Sequence, residues 1–498
     1  MKNIDRLRIA YKKLKATVFF DKTQLPLRDQ LVLYEENIEE KLSSLEQALF
    51  LGIDWDETEK KILDSVGVLV YPKKLKPVDE DMAIFNSDSI AIEMDKPQYF
   101  IDLSPEGQLL GVLWILEFGA VLDKNAGDSC CDKYEGMYPH SYGNRLRKNL
   151  INQKTNNFTY APGLFEPYFS QYQSWRDHAL DYAKGRLNDK QDALILTLDF
   201  KSFFYSVDIQ RSMFDHFVEI LDQIPEKHNH IEWLKRLNDF VFRVIERYSQ
   251  ELRIIHVNND NLSLENRNIL PIGFFPSNIL SNVVLTPFDK AVIEKWNPVY
   301  YGRYVDDIII VDKVEANSEI YQLARSTSKE KRLNSGWILD QFLYKTGVMD
   351  KKPDETTEKN ENIDGNKNHS IYFISTQTLR CGNSCISVQD QKVRLFYFQS
   401  GATKALLTCF HSKIRENVSE FRLLPDLDTV IKYGDYSELF QIKNEDSINK
   451  LRSVTGIDLN KFALARSDNP TLTARTCSEQ PHFRQQCSQS RLASYPRT

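Results

Sequence analysis

The stretch Arg303-Tyr304-Val305-Asp306-Asp307-Ile308-Ile309-Ile310-Val311 sets two adjacent acids between aromatic and β-branched residues. It suits a tight hairpin whose arms are buried strands and whose tip presents the acids. Two carboxylates side by side at an apolar apex repel one another unless cations occupy the site. Toward the N-terminus, Leu196-Thr197-Leu198-Asp199-Phe200-Lys201-Ser202-Phe203-Phe204 is an apolar strand ending in an acid that can be held rigidly over a cleft. Between the two lies Leu270-Pro271-Ile272-Gly273-Phe274-Phe275-Pro276-Ser277-Asn278-Ile279-Leu280-Ser281-Asn282-Val283-Val284-Leu285, ending at Asp289, which reads as a glycine turn feeding a helix. Hard cations such as Mg²⁺ take oxygen ligands, a few carboxylates plus substrate phosphates. Two such ions about 4 Å apart would activate an attacking hydroxyl and stabilise the leaving oxygen of an in-line phosphoryl transfer. Asp199 and Asp306 are the expected ligands, with Asp307 either ligating one ion or orienting the site. Each string alone is weak, since a Tyr-x-Asp-Asp tetrapeptide recurs by accident and a lone Asp199 is more often a strand-end cap. Their combination in order is far more specific.

Composition bounds the class around this core. The chain has 498 residues, 41% of them apolar, 11% aromatic and 27% charged, which excludes a fibrous, low-complexity or globally disordered protein. A length of this size suggests about two to four domains. The formal net charge of -6 argues against a simple non-specific DNA-coating protein, although basic residues can still line one groove. Seven cysteines at no regular spacing do not suggest a disulfide framework. The most apolar run, Leu109 to Leu122, is shorter than the roughly eighteen residues of a membrane span and carries Glu117. A cytoplasmic protein without a membrane segment is expected, and no internal repeat is evident.

Along the chain, Leu31, Tyr34, Ile38, Leu42, Leu45 and Leu49 recur at helical spacing, so residues 1–85 read as a helical N-terminal region. Strands are expected at Gly67 to Tyr71, ended by Pro72, at Ala193 to Leu198 and at Leu252 to Val257; helices are expected over Pro167 to Leu187 and Ile209 to Leu221. Asn258 to Asn268 and Asp350 to His369 read as polar loops, residues 399–466 as a helical C-terminal region and 467–498 as a loosely attached tail.

The three segments, within residues 196–311, resemble motifs A, B and C of the reverse transcriptases. Gly273, Ser277, Asn282, Leu285 and Asp289 fall on the positions of motif B, and Arg303-Tyr304-Val305-Asp306-Asp307 is similar to motif C of bacterial retron and group II intron enzymes. One departure is Ile272, where family members often carry a glutamine whose amide contacts the nucleotide. RNA-copying RNA polymerases, the rival with a similar site, carry a second aspartate where this chain has Phe204. In the reverse transcriptases an aromatic residue there excludes the ribose 2′-hydroxyl, which favours DNA synthesis; Phe203 competes for the inward face, in which case Phe204 is simply core.

The resemblance implies an α+β fold, a right-hand polymerase with fingers and palm over residues 86–398 and a thumb-like helical region after them. It implies two Mg²⁺ ions (Mn²⁺ able to replace them) held by Asp199, Asp306, Asp307 and the backbone carbonyl of Phe200. Gly273 and Ser277 would lie beneath the nucleotide, and Phe204 beside its sugar. Arg145, with Arg147 and Lys148, would hold the triphosphate or form a solvated basic face, and Arg176 would reach phosphate or pair with an acid. Tyr304, and Lys392 in the primer-grip region Ile386 to Val393, would meet primer and template, while Lys345, Lys351 and Lys352 compete for the role of the motif D lysine. The Cys381/Cys385 pair and the tail's Cys477, His482 and Cys487 are not expected to bind metal, and His140, by a possible nucleotide site, reads as a structural histidine.

The N-terminal region, Ser141-Tyr142-Gly143-Asn144-Arg145 and Tyr172-Gln173-Ser174-Trp175-Arg176-Asp177 are most similar to the defence-associated, abortive-infection group of bacterial enzymes. The implied function is RNA-directed DNA synthesis in protection against bacteriophage. Partners would be dNTPs, an RNA template such as a dedicated noncoding RNA, the DNA product and further copies of the chain. Untemplated or protein-primed DNA synthesis at the same site, or a silent RNA-binding scaffold, are the alternatives.

Overall fold

Four antiparallel strands carry the acids, and helices cover them. The computed structural model describes residues 2–20, 24–75, 94–124, 140–147, 163–228, 231–256, 266–325, 334–353, 370–379 and 384–400. Helices α1 (Asn3–Phe20), α2 (Leu25–Glu35), α3 (Ile38–Glu46) and α4 (Trp55–Asp64) lead to strands β1 (Gly67–Leu75) and β2 (Met94–Asp102). Helix α5 (Pro105–Trp114) runs through a π-helical turn into α6 (Ala120–Lys124), and α7 (Tyr168–Asn188) precedes β3 (Ala193–Asp199). There follow α8 (Phe203–Ser206), α9 (Arg211–Asp222), α10 (Pro225–His228), α11 (Ile231–His256), α12 (Phe275–Ala291), β4 (Tyr300–Tyr304) and β5 (Asp307–Lys313). The described part closes with α13 (Glu319–Arg325), α14 (Ser335–Leu339), β6 (Asp350–Pro353), β7 (Ser370–Phe373), α15 (Thr376–Leu379) and β8 (Arg394–Phe398).

Two compact units divide these residues: the larger takes in residues up to 17, 30–68 and the described residues from 101 onward, the smaller the described residues of 18–29 and 69–100. Most of the β1–β2 ribbon belongs to the smaller. The larger holds the sheet β4-β5-β3-β8. Its central strands are apolar on both faces: Leu194 to Leu196 and Ile308 to Val311 are all buried. Both faces are therefore covered, one by α7 against β3, β4 and β5, the other by α12 through Phe288, whose ring lies 5.5 Å from that of Phe200 and 6.4 Å from that of Tyr301. A helical layer continues outward, with α12 on α5 and α11 on both α5 and α9.

Several expectations need correction. Leu252 to His256 is not a strand but the end of α11, and Val257 lies outside the described residues. Leu234, Leu237, Val241, Ile245, Tyr248 and Leu252, all buried, carry helical periodicity to that point, and Ile254 is exposed; packing of the face overrides β-branched preference. The strand from Gly67 continues through Pro72 to Leu75, which a two-stranded ribbon permits because each strand is an edge. The polar stretch after Met349 begins as a strand, with Asp350 opposite Phe373 and Pro353 opposite Ser370. By length and composition the helix Pro105–Lys124 could cross a bilayer, which no run was expected to do, but 78% of its apolar window is buried in the protein, as in a core helix. Glu117 on that helix is held by Arg6 and Lys227. The expected boundary at residue 85, the region 401–466, the tail 467–498, Lys148, Cys381, Cys477, His482 and Cys487 lie outside the described residues.

The outer strand β8 is tied down at one residue. Asp192, just before β3, accepts from Tyr397 Oη at 2.6 Å, from the Ser400 backbone N–H at 2.7 Å and from Arg325 at 2.7 Å. Burial works to raise this carboxyl, but the bonds from Tyr397, Ser400 and Arg325 outweigh it and bring the group down to about 2. A depressed folded value means that the stabilisation is present above the ordinary carboxylate range and is lost as pH falls through about 2. Asp192→Asn is expected to lower stability to chemical denaturation by about 1 kcal/mol at pH 7, after discounting for solvent around Arg325. That deficit should shrink by about half by pH 3; a deficit independent of pH would show that charge at Asp192 is irrelevant.

Candidate active site

The register of the sheet brings the acids together. Asp199 at the end of β3 is paired with Asp307 at the start of β5, and Asp307 is also paired with Tyr304 at the end of β4. Val305 and Asp306 are therefore a two-residue turn at the apex, as the hairpin reading requires. Val305 takes a left-handed φ of 57°, an outlier for a β-branched residue, which costs of order 1–3 kcal/mol and persists only where neighbours over-determine it. Those neighbours are visible. A Cβ added to Gly143 would lie 2.6 Å from Val305 Cγ2 and 2.9 Å from its backbone N, so the segment 140–143 presses on the turn where only glycine fits.

Burial, then the charges of Asp306 and Asp199, holds the Asp307 carboxyl well above the ordinary carboxylate range, and the two carboxyls of Asp199 and Asp307 are near enough to share a hydrogen bond. A cation is already present: Lys392 Nζ lies 2.5 Å from Asp199 Oδ2. Burial opposes the lysine's charge, but Asp199 first, then Asp307 and Asp306, keep it protonated. The backbone at Phe200 faces the hairpin, since its N–H donates to the Asp306 carbonyl at 3.3 Å; the N–H and C=O of one strand residue share an edge, so the Phe200 carbonyl is directed to the same side. Three carboxylates and a carbonyl form an all-oxygen donor set, which suits a hard divalent ion. Among the described residues, no three Asp, Glu, His or Cys side chains stand as a ready-made cage around one ion.

Behind the turn is a buried polar clasp that the sequence reading did not single out. Arg303, fully buried, makes a fork with Asp289 of α12: Nε to Oδ1 at 2.7 Å and Nη2 to Oδ2 at 2.9 Å. Its Nη1 donates to Asn282 Oδ1 at 2.7 Å and to the Val305 carbonyl at 3.4 Å. Tyr301 Oη donates to Asp289 at 2.6 Å. Asn282 in turn accepts from Ser141 Oγ at 3.0 Å and donates to the Gly143 carbonyl at 2.9 Å. The backbone closes the same junction, with Arg303 N–H donating to the His140 carbonyl at 2.7 Å and Tyr142 N–H to the Arg303 carbonyl at 3.0 Å. Arg303 thus joins the helix of the Gly273 segment, the acid hairpin and the Ser141–Gly143 segment. The legible signal was a charged residue within an otherwise apolar strand, which must find a buried partner.

The remaining expected residues fall into two sets. Phe203 points into the core at 2% exposure, whereas Phe204 is only half-buried, so of the two rings it is Phe204 that keeps an open face. Phe204 also anchors the next segment, its carbonyl accepting from Leu270 N–H at 3.1 Å. Gly273 has φ 91°, the left-handed turn expected before α12, and its carbonyl accepts from Gln108 Nε2 of α5 at 3.0 Å. Ser277 Oγ, in the first turn of α12, is buried without a hydrogen-bond partner among the described residues. Half-buried Ile272 has its carbonyl bonded by Ile101 N–H at 2.8 Å, which suits a packing role beneath the loop.

By contrast, Arg145 is corrected: it is 1% exposed, its Nε bonded to Asp123 at 2.9 Å and its Nη1 to the Ser141 carbonyl at 2.8 Å, so it braces the loop rather than offering a phosphate fork. Arg176 pairs with Asp177 at 3.0 Å, the second of its two expected outcomes. Tyr304 is buried among Tyr168, Tyr172 and Trp175 of α7, at 4.9, 5.2 and 6.3 Å between ring centroids, and anchors the hairpin there instead of exposing its ring to a primer. Lys392, expected at the primer, is on Asp199. Ile386 to Val393 is not a hairpin of its own: Ser387 and Val388 make single bridges to Phe373 and Phe200, and Asp390–Lys392 is a 3₁₀ turn. Lys351 pairs with Asp340 at 2.5 Å and Lys345 bonds Gln341 at 2.9 Å. His140 packs 6.1 Å from Tyr301, and Cys385 is a free thiol.

Residues 144–335 match the model of the family described as "Reverse transcriptase (RNA-dependent DNA polymerase)". The matched region contains Asp199, the Gly273–Asp289 segment and the acid hairpin. Its identity makes the protein a nucleotidyltransferase, an RNA-directed DNA polymerase. No curated protein sequence matches the chain.

Removing Arg303 should leave the buried Asp289 carboxylate without its counter-charge, with Tyr301 Oη still donating to it. Arg303→Met is therefore expected to lower stability by about 3–5 kcal/mol, measured by chemical denaturation. Arg303→Met/Asp289→Leu should recover most of that stability, because the charge pair is replaced by apolar groups, while DNA synthesis stays depressed because the turn has lost its clasp. A double variant as active as the unaltered protein would show that the clasp has no part in placing Asp306 and Asp307.

Proposed function

We propose that this protein copies RNA into DNA by a two-metal phosphoryl transfer at Asp199, Asp306 and Asp307, with Mg²⁺ as the ordinary ion and Mn²⁺ able to replace it. The observation that carries the reading is the pairing of Asp199 with Asp307 at the closed end of a sheet, with Asp306 in the intervening turn. Divalent ions bound to these oxygens and the Phe200 carbonyl would supply activation of the primer 3′-hydroxyl and neutralise charge on the reacting phosphate. The chain's own contribution is positional. The Arg303 clasp and the aromatic pocket around Tyr304 hold the hairpin, and the Gln108–Gly273 bond holds the loop that would lie beneath the nucleotide.

Selection of deoxynucleotides rests with Phe204, whose open face follows Asp199 by one short turn, while Phe203 fills the core. Ser277, with its buried hydroxyl unpartnered among the described residues at the start of α12, is the residue of that loop with a donor left to offer the nucleotide. The biological setting we propose is defence of a bacterial cytoplasm against bacteriophage, with a dedicated noncoding RNA as template. It rests on the similarity of Ser141–Arg145 and Tyr172–Asp177 to the defence-associated enzymes. Both stretches pack on the acid hairpin, through Gly143 and Val305 and through Trp175 and Tyr304.

The test supplies Mg²⁺ and labelled dNTPs or, separately, rNTPs to the purified protein with its accompanying nucleic acid. Asp306→Asn should reduce product at least about a thousandfold, as expected when a metal-binding carboxylate is lost. Phe204→Ala should raise use of rNTPs relative to dNTPs by about tenfold or more. An unchanged ratio would remove Phe204 from sugar selection. Nuclease-sensitive product whose sequence copies no RNA would identify untemplated synthesis, and no product with any primer or RNA would favour a scaffold.

A further inference from the structure

We infer that Lys392 is a built-in counter-cation of the carboxylate site, seated on Asp199 and displaced from it when a divalent ion binds. The inference rests on the reading of Asp199, Asp306 and Asp307 as metal ligands. Lys392 is aimed by the backbone on both sides. Before it, Gln389 N–H donates to the Asp199 carbonyl at 2.8 Å, and Lys201 N–H donates to the Ser387 carbonyl at 2.8 Å, so 387–389 is clasped along the end of the acid-bearing strand. After it, Arg394 is paired with Thr197 of the same strand. The 3₁₀ turn between these anchors, closed by Lys392 N–H on the Gln389 carbonyl at 3.0 Å, leaves the side chain little choice of neighbourhood. It ends 2.5 Å from Asp199 Oδ2.

The two partners differ in freedom. The Asp199 side chain is 9% exposed and that of Lys392 is 36% exposed, so the lysine has open space into which its ammonium can withdraw and the aspartate does not. An ammonium on a four-carbon stem makes a single point contact, whereas a guanidinium would grip the carboxylate with two and be hard to release. A monovalent ammonium can partly balance three clustered acids, and a divalent ion at the same oxygens balances them better. Lys392 occupies an Asp199 oxygen that a divalent ion would need, so its departure frees that oxygen. No proton or covalent bond changes in this exchange, only which cation faces the carboxylate.

The closing experiment titrates Mn²⁺ into the full-length, metal-free protein without nucleotide, following free Mn²⁺ by its electron-paramagnetic signal. Lys392→Met should bind Mn²⁺ about three- to tenfold more tightly than the unaltered protein, because no resident cation has to be displaced. Its melting temperature should be lower in metal-free buffer and should rise further on adding Mn²⁺. Lys392→Arg should bind no more tightly than the unaltered protein. Equal or weaker Mn²⁺ binding by Lys392→Met overturns the inference, and Lys392→Gln gives the same reading where Lys392→Met does not fold. Asp306→Asn separates the two levels of the argument. If it binds Mn²⁺ as the unaltered protein does, the metal-site reading itself fails. If it loses binding while Lys392→Met changes nothing, only the role of Lys392 falls.

Discussion

A single buried ion pair, Arg303 with Asp289, is the constraint on which the remainder of the site depends. The guanidinium is fully buried, so burial works against its charge, and Asp289 first, then Tyr301, offset that cost. Such a pair contributes little net stability compared with apolar groups of similar size, yet losing one partner is severe. Its value lies in specification. The fork of Arg303 accepts one relative placement of helix α12 and strand β4, and Asn282 passes that placement to Ser141 and Gly143. The strained turn at Val305 is held between these elements.

How much of this was legible in the sequence depends on the range of the interaction. Short apolar, β-rich runs flanked by acids gave away β3 and the hairpin almost to the residue, because such a run and a two-residue turn are local properties. The helix after Gly273 was legible for the same reason. Leu252 to Val257 was misread because three β-branched or bulky residues outweighed, in a short window, a helical face that began twenty residues earlier. Arg145 and Tyr304 were assigned outward roles from the resemblance and their residue types. Which way a basic or aromatic side chain faces depends on an acid or an aromatic pocket distant in sequence: Asp123 for Arg145, and α7 for Tyr304. Lys392 was expected at the primer; its partner, Asp199, lies 193 positions away and could not be read from spacing.

The electrostatics of the apex follow from the same folding. Pairing Asp199 with Asp307 forces two carboxyls together, and the Val305–Asp306 turn adds a third acid within one residue. Burial and the charges of Asp306 and Asp199 hold the Asp307 carboxyl well above the ordinary carboxylate range, and the Lys392 ammonium stands on Asp199. The neighbouring choice between Phe203 and Phe204 shows the same economy of position: one short turn of α8 sends the first ring to the core and leaves the second at the rim.

The clasp along β4 has a consequence for modularity. The stretch recognisable by family similarity begins at residue 144 and ends at 335, yet the sheet does not respect either limit. His140, Ser141 and Tyr142 line the outer edge of β4, and β8, with the 387–389 segment, lines the far edge of β3. Cut at the similarity boundaries, the strands would present two unsatisfied backbone edges, the condition that invites strand-to-strand association between molecules. Inheritance of the chemistry and integrity of the fold therefore have different units here. Exchange of the recognisable segment between relatives would transplant the acids but not the edges that keep them soluble and in register.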